Sequence, residues 1–371
     1  MTSNQPFYQQ LKSTLEQEPA ERESAEQASP EQASVVVATI VKVVGSAPRE
    51  VGAKMAICAD GSIIGTIGGG AGEGKIIAQA LAILKERKAK GRKSSDRRLV
   101  EINLTGAPNQ VTQGICGGKV QVWLAVWPRA WAIALIEQIL QAFETGKSSQ
   151  LVIPLVGDRR PYLASEYALD ALNPECFIED CFIETIQPPP VLLIIGGGHV
   201  AVALALMADF AGFQIAVQDD RPEFVTPERF PQARLLSHSI REMVDSLASH
   251  SQLYIALVAR GLSQDVEALQ TLLLRPCAYQ YVGAIGSQKR IRRVCQAVQQ
   301  QGIPIDELPN FHAPIGLDIG ALTPQEIAIS ICAELIKVRR GGTGRSLCER
   351  IQHSSAPAKV HVGGQLYASL P

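Results

Sequence analysis

The eight cysteines fall at positions 58, 116, 176, 181, 277, 295, 332 and 348 without a C-x-x-C pair, which argues against a zinc cage or an iron–sulfur cluster. Most read as small apolar core residues. An unbroken membrane-length apolar run is also missing: the longest apolar region, around 191–213, is interrupted by Gly196, Gly197 and Gly198 and carries Asp209. The opening "MTSNQPFYQQ" lacks the basic-then-apolar order of a secretory signal. These absences predict a soluble, cytoplasmic protein with no membrane partner. Net charge is lacking too, since 35 Lys+Arg against 36 Asp+Glu leave −1, so no overall field favours nucleic acid. The basic run "KERKAKGRK" at 85–93 reads as the solvated end of a helix. One further absence is a single hydroxyl. "GGAGEGKI" at 69–76 has the G-x-x-x-x-G-K spacing of a triphosphate-binding loop, but Ile76 stands where Ser or Thr would hold Mg²⁺.

What is present divides the chain. At 371 residues with 46% hydrophobic content, two domains of ordinary size are expected. Phe7, Leu11 and Leu15 recur every four residues as in a short helix, and the polar "EPAERESAEQASPEQA" after it reads as a linker. Residues 1–34 are therefore set apart. "SVVVATIVKVV" from Ser34 reads as a buried β-branched strand, "ADGS" at 59–62 as a hairpin turn and "IIGTI" as the next strand. Helical spacing follows from Lys75 to about Arg87 and from Ala130 to about Phe143, with strand-like runs at 151–156 and 176–186. Three successive prolines in "QPPP", 187–190, make a stiff connector and a domain boundary. The expected domains are thus 35–186 and 191–342, with a tail at 343–371.

In the second domain "VLLII" at 191–195 suits a strand buried on both faces of a parallel sheet. Gly196, Gly198 and Ala201 then follow the G-x-G-x-x-G/A spacing into a helix, and the next strand ends in Asp219, where an acid can meet ribose hydroxyls. Strand, glycines, helix, strand and acid in this order predict a Rossmann-like nucleotide-binding domain. His199 stands where the helix N-terminus faces a ligand. Asp219 favours NAD, while Arg221 nearby leaves NADP or another nucleotide open. Further strands are expected at 254–258 and 281–285. "LTPQEIAISICAELI" carries a complete capping box, with Thr323 as N-cap, Pro324 and Glu326, and opens a helix apolar on most sides. Such a helix belongs in a core or against a second subunit; the expected assembly is a homodimer.

Taken together, "GSAPREVGAKM", "DGSIIGTIGGGAGE", "GICGGKVQVWL", "LLIIGGGHVAVALA", "DDRPEF", "YVGAIGSQKR" and "HAPIGLDIGALTPQEIAISICAEL" resemble the XdhC/CoxI family over roughly residues 35–342. The resemblance implies an α/β protein, an N-terminal mixed α/β XdhC/CoxI-type domain followed by a Rossmann-like doubly wound parallel-sheet domain. It also implies an accessory protein of molybdenum hydroxylases that binds the molybdenum cofactor (molybdopterin), assists its sulfuration with a cysteine desulfurase, and delivers it to the apoenzyme. Such a protein is a maturation factor more than a catalyst. Two positions depart from the family pattern: Ala125 and Leu262 stand where relatives often carry Glu and His.

On this reading Gly68, Gly69 and Gly70, between a strand and a helix, direct consecutive N–H groups at an anion. Arg49 is the first candidate to grip the cofactor's phosphate, Lys54 and Lys75 are weaker ones, and Glu73 either pairs with Arg49 or holds the helix start. Cys116 lies beside Gly117 and Gly118 with Lys119 three residues on, a setting that favours a thiolate suited to a soft metal–sulfur centre. Cys58 and Cys295 are assigned to packing. The competing reading is an NAD(P)-dependent oxidoreductase with His312 or Lys289 as acid–base group; an interaction scaffold, in which neither glycine loop binds a ligand, is the third.

Overall fold

A computed structural model of the protein describes residues 4–17, 34–90, 96–104, 118–164, 180–275, 279–302 and 310–348. The chain forms two compact units, one reaching to Ile186 and the other running on from Gln187, with Thr145–Lys147 belonging to the second.

The first unit is built on strand β1 (Ser34–Val44), whose first eight residues are all buried. Alternation explains this. Val35 and Val37 face one core with Phe7, Leu11, Trp127 and Ile136, whereas Val36, Ala38 and Ile40 face another with Ile76, Ala80 and Ile83. The first core is covered by helices α1 (Gln5–Gln17) and α3 (Arg129–Glu144), the second by α2 (Gly70–Lys90). A strand sandwiched this way shows no polar face, which is why it reads as a continuous apolar run. β1 lies at the centre of an antiparallel sheet, flanked by β2 (Lys54–Ile57) with β3 (Ile63–Gly65) on one side and β5 (Lys119–Pro128) with β4 (Arg97–Asn103) on the other. β2 and β3 form the expected hairpin, pairing antiparallel from Met55↔Gly65 to Ile57↔Ile63. A second sheet joins β6 (Ser149–Pro154), β7 (Tyr162–Leu163) and β8 (Cys181–Ile186).

The second unit is the doubly wound domain that the sequence predicts. β9 (Val191–Ile195), β10 (Gln214–Gln218), β11 (Ala233–Ser237), β12 (Leu253–Leu257), β13 (Tyr279–Ala284) and β14 (Phe311–His312) form one sheet in the order β11-β10-β9-β12-β13-β14. Every pairing is parallel. Val191, Leu193 and Ile195 pack beneath α5 (Ile240–Leu247), α6 (Leu262–Leu273) and α7 (Gln288–Gln300). Leu192 and Ile194 pack beneath α4 (His199–Phe210) and α8 (Pro324–Arg340). α8 starts with its predicted capping box, Thr323 and Glu326 bonding reciprocally, and stops at Gly341 in the left-handed region (φ 65°). Among the described residues no helix is long and apolar enough to cross a membrane.

Candidate functional site

In the first unit, loops far apart in sequence meet at one end of the large sheet. A Cβ on Gly68 would stand 2.6 Å from Cγ of Pro48, and one on Gly118 would stand 2.2 Å from the carbonyl oxygen of Ser46. These contacts tolerate only glycine, because backbone and proline ring occupy the space a side chain needs. The segment 46–50, the glycine triplet and the residue preceding β5 are thereby brought together. Gly68, Gly69 and Gly70 all have positive φ (132°, 76° and 70°), and Gly69 and Gly70 face open space. Arg49, next in sequence to Pro48, is exposed and has no hydrogen-bond or ion-pair partner among the described residues. Cys116 and Gly117 lie outside the described residues.

Of the two parts expected for Glu73, pairing with Arg49 or holding the helix start, the structure shows the second, with Glu73 in the first turn of α2. Its Oε2 accepts from the Thr66 hydroxyl (2.6 Å) and from the N–H groups of Ile67 and Gly69 (both 3.1 Å), while Thr66 Oγ1 accepts from the Gly68 N–H (3.1 Å). Burial raises the Glu73 pKa, but the Thr66 hydroxyl and the N–H groups of Gly69, Ile67 and Gly68 outweigh it and hold the carboxyl below its ordinary range. The chain's own carboxylate thus takes up N–H groups that the sequence reading reserved for a bound anion. The donors left over are those of the α2 start, Gly70 to Gly72, which a helix cannot satisfy internally. The weaker cations are also accounted for. Lys54 is buried against Glu184, and Lys75 donates to the Glu101 carbonyl oxygen (3.1 Å). Ala125 is a core residue of β5, and Cys58 is buried while Cys295 is half-buried, as packing roles require.

In the second unit the three residues of the glycine pattern do three things. Gly196 has φ 109°, and a Cβ there would come within 2.8 Å of Ala259 Cα and the Val258 carbonyl oxygen, so it permits close approach of the strand β12 end. Gly198 is the extended N-cap of α4 and meets nothing within 4 Å, which leaves the helix N-terminus open to a phosphate. Ala201 is fully buried and lets α4 sit close on the sheet. His199 is exposed at the first position of α4. A cavity of about 420 Å³ opens at the carboxyl ends of β9, β10 and β12, where the strand order reverses. In open α/β sheets this switch point is the place for ligands.

Asp219 sits at the cavity but is not a free acid. Its carboxylate accepts from the Gly197 N–H (2.6 Å), the Arg221 N–H (3.1 Å), Arg221 Nε (2.9 Å) and Arg221 Nη2 (3.0 Å). Arg221 in turn lies 3.4 Å from the ring centre of Phe224. Four donors fill a carboxylate's acceptor positions. Asp219, expected to meet ribose, and Arg221, expected to attract a 2′-phosphate, hold each other in this structure. Burial raises the Asp219 pKa, yet the Arg221 guanidinium and the N–H groups of Gly197 and Arg221 bring it down to about 2. A folded-state pKa below the unfolded value stabilises at higher pH, and the contribution fades as pH falls from about 4 towards 2. Comparing urea unfolding of wild type and Asp219→Asn, their stability difference should shrink by about 1 kcal/mol between pH 6 and pH 3. A difference independent of pH would contradict the engagement.

His312 and Lys289 do not line the cavity. His312 is stacked on Tyr281 (centroids 4.6 Å apart) with Nδ1 3.2 Å from Glu334 Oε1. Glu334, 6% exposed, also accepts from the Tyr281 hydroxyl (2.7 Å) and the Gly316 N–H (2.8 Å). Burial and the Glu334 carboxylate push the Tyr281 pKa up. This cluster ties α8 to β13 and the loop after β14. It escapes the sequence reading because Tyr281 and Glu334 look like ordinary strand and helix residues 53 positions apart.

Family models match at both ends of this description, the XdhC and CoxI family over residues 29–94 and the XdhC Rossmann domain over residues 192–335. The chain belongs to the XdhC/CoxI family. Similar relatives include the uncharacterized protein YqeB of Escherichia coli (strain K12), 30% identical over 330 residues, which cover 88% of this chain and 48% of that one. The chain therefore spans about half the length of that relative. A probable xanthine dehydrogenase subunit of Bacillus subtilis (strain 168) is 27% identical over 322 residues, covering 82% of this chain and 93% of that protein. Among solved structures, a xanthine dehydrogenase from Bacillus halodurans matches with TM-score 0.64 and 24% identity over 93% of this chain and 99% of that one. At that identity the likeness speaks for the fold alone.

Proposed function

We propose that this XdhC/CoxI chain is an accessory protein of a xanthine dehydrogenase-type molybdenum hydroxylase. It binds the molybdenum cofactor as cargo in the first unit, assists its sulfuration with a cysteine desulfurase, and passes it to the apoenzyme. Family membership and the name of the Bacillus subtilis relative support the association. The observation that carries the cofactor reading is the meeting of the 46–50 loop, the glycine triplet and Gly118 around Arg49, which has no partner among the described residues. Molybdopterin offers a phosphate and an anionic dithiolene. Arg49 suits the phosphate, since a guanidinium grips two of its oxygens at once, and the N–H groups of Gly70 to Gly72 add donors without Mg²⁺. Cys116, next to Gly117 and Gly118, is the soft ligand for the metal–sulfur end. The second unit, on this proposal, binds a nucleotide in the cavity at its sheet's switch point. That cavity would also serve an NAD(P)-dependent oxidoreductase, but the two acid–base candidates, His312 and Lys289, stand away from its lining.

The test is the pterin content of protein purified from cells that make the cofactor. Wild type should carry pterin, and Arg49→Ala, exposed and therefore neutral for folding, should lose about tenfold or more, as removal of a charge-assisted hydrogen bond implies. Unchanged pterin in folded Arg49→Ala would move the phosphate elsewhere.

A further inference from the structure

The cavity of the second unit contains two adjacent acids, and only one of them is free. Asp219 is saturated by Gly197 and Arg221. Asp220, the next residue, lines the same cavity, is exposed, and has among the described residues a single partner, Arg260 Nη2 at 3.4 Å. That contact is long and solvent-exposed, so it yields easily to a better donor. We propose that Asp220, held in place by the locked Asp219–Arg221 pair, is the acceptor for a ribose 2′,3′-diol, and that the ligand is a nucleotide with both hydroxyls unmodified. This assignment rests on the nucleotide reading of the second unit given above.

Three observations fix the ligand class. The diol needs a carboxylate with vacant acceptor positions at the end of the second strand, and Asp220 supplies them. A 2′-phosphate at the same place would bring up to two negative charges against Asp220. Of the arginines that could offset them, Arg221 is engaged with Asp219 and Arg275 with Asp245, whereas Arg260 is held only by its long contact with Asp220. Arg241 and, once released from Asp220, Arg260 are the lining arginines left for a phosphate. Apolar Ile240, Ala259, Ala268 and Leu274 give the cavity a wall against which a base can lie.

Calorimetric titration of the full chain with NAD⁺, NADP⁺ and ADP tests this. Wild type should bind NAD⁺ and ADP, with NADP⁺ at least tenfold weaker. Asp220→Asn, at an exposed position, should fold normally, lose about tenfold for NAD⁺ and ADP, and narrow the gap to NADP⁺. NADP⁺ binding as tight as NAD⁺ would overturn the free-diol class and point to Arg241 or Arg260. Asp220→Asn binding like wild type, while Gly198→Val abolishes binding, would overturn the assignment to Asp220 and leave the nucleotide site standing. Absence of binding by wild type to all three would overturn the nucleotide reading and this assignment with it.

Discussion

Lys54→Ala is expected to destabilise the first unit by about 3–5 kcal/mol, the usual effect of stranding one member of a buried ion pair. The side chain of Lys54 is 0% exposed and that of its partner Glu184 is 3% exposed. Around them Asn4 Nδ2 donates to Glu184 Oε1 (3.0 Å), and Lys54 Nζ also reaches the Gly52 carbonyl oxygen (3.5 Å). The pair therefore joins β2, β8 and the residue before α1. With the ammonium removed, a carboxylate would remain in an apolar setting with one amide donor, and it would have to take up a proton or admit water. Tyr8 shows how dry the region is, because burial, followed by the Glu184 charge, pushes its hydroxyl pKa well up. Lys54→Met combined with Glu184→Leu, which removes both charges, should lose much less than either single change. Urea unfolding of wild type, Lys54→Ala, Lys54→Met, Glu184→Leu and the double variant measures this. A loss under about 1 kcal/mol for Lys54→Ala would mean that the pair contributes as little as a surface one.

The parts of the fold that are legible in the sequence are those where local pattern and burial coincide. β9, buried on both faces, can only be apolar throughout, and the glycines after it follow from the close approach of Gly196 to Ala259 and the open N-cap at Gly198. β4 is hidden for the opposite reason. It is an edge strand whose buried residues, Val100 and Ile102, are separated by exposed Glu101 and preceded by Arg97 and Arg98, so it merges with the basic run before it. The helical spacing of α2 becomes visible only from Lys75 because Gly70, Gly72 and Gly74 mask its first turn. At the site, spacing locates the acid after β10 and the glycines before α2, but not what each bonds. Arg221 folds back on Asp219, and Glu73 turns into its own glycine loop. Both choices depend on side-chain reach in three dimensions, which spacing does not carry.

Cys116→Ser is expected to abolish support for maturation of a molybdenum hydroxylase, a loss of about tenfold or more in client activity. The exchange keeps side-chain size but replaces a thiol that can ionise near neutral pH by a hydroxyl that cannot, and a soft ligand by a hard one. On the proposed reading pterin should be retained, because Arg49 and the N–H groups at the start of α2 would hold the other end of the cofactor. Cys58→Ser is the matched control: Cys58 is buried in the core of the first unit, so its variant should lose stability and, once folded, support maturation. Full maturation by the Cys116 variant would assign that cysteine to packing and leave the site to Arg49 and the glycine loop.

The accessory role is tested most directly by the activity of a cofactor-free xanthine dehydrogenase-type hydroxylase supplied with molybdenum cofactor, with and without the wild-type chain. The chain should raise the final activity or its rate of appearance severalfold, and pterin should leave the chain as activity rises. Equal activity in its absence, with no pterin transferred from the loaded chain, would contradict the accessory role.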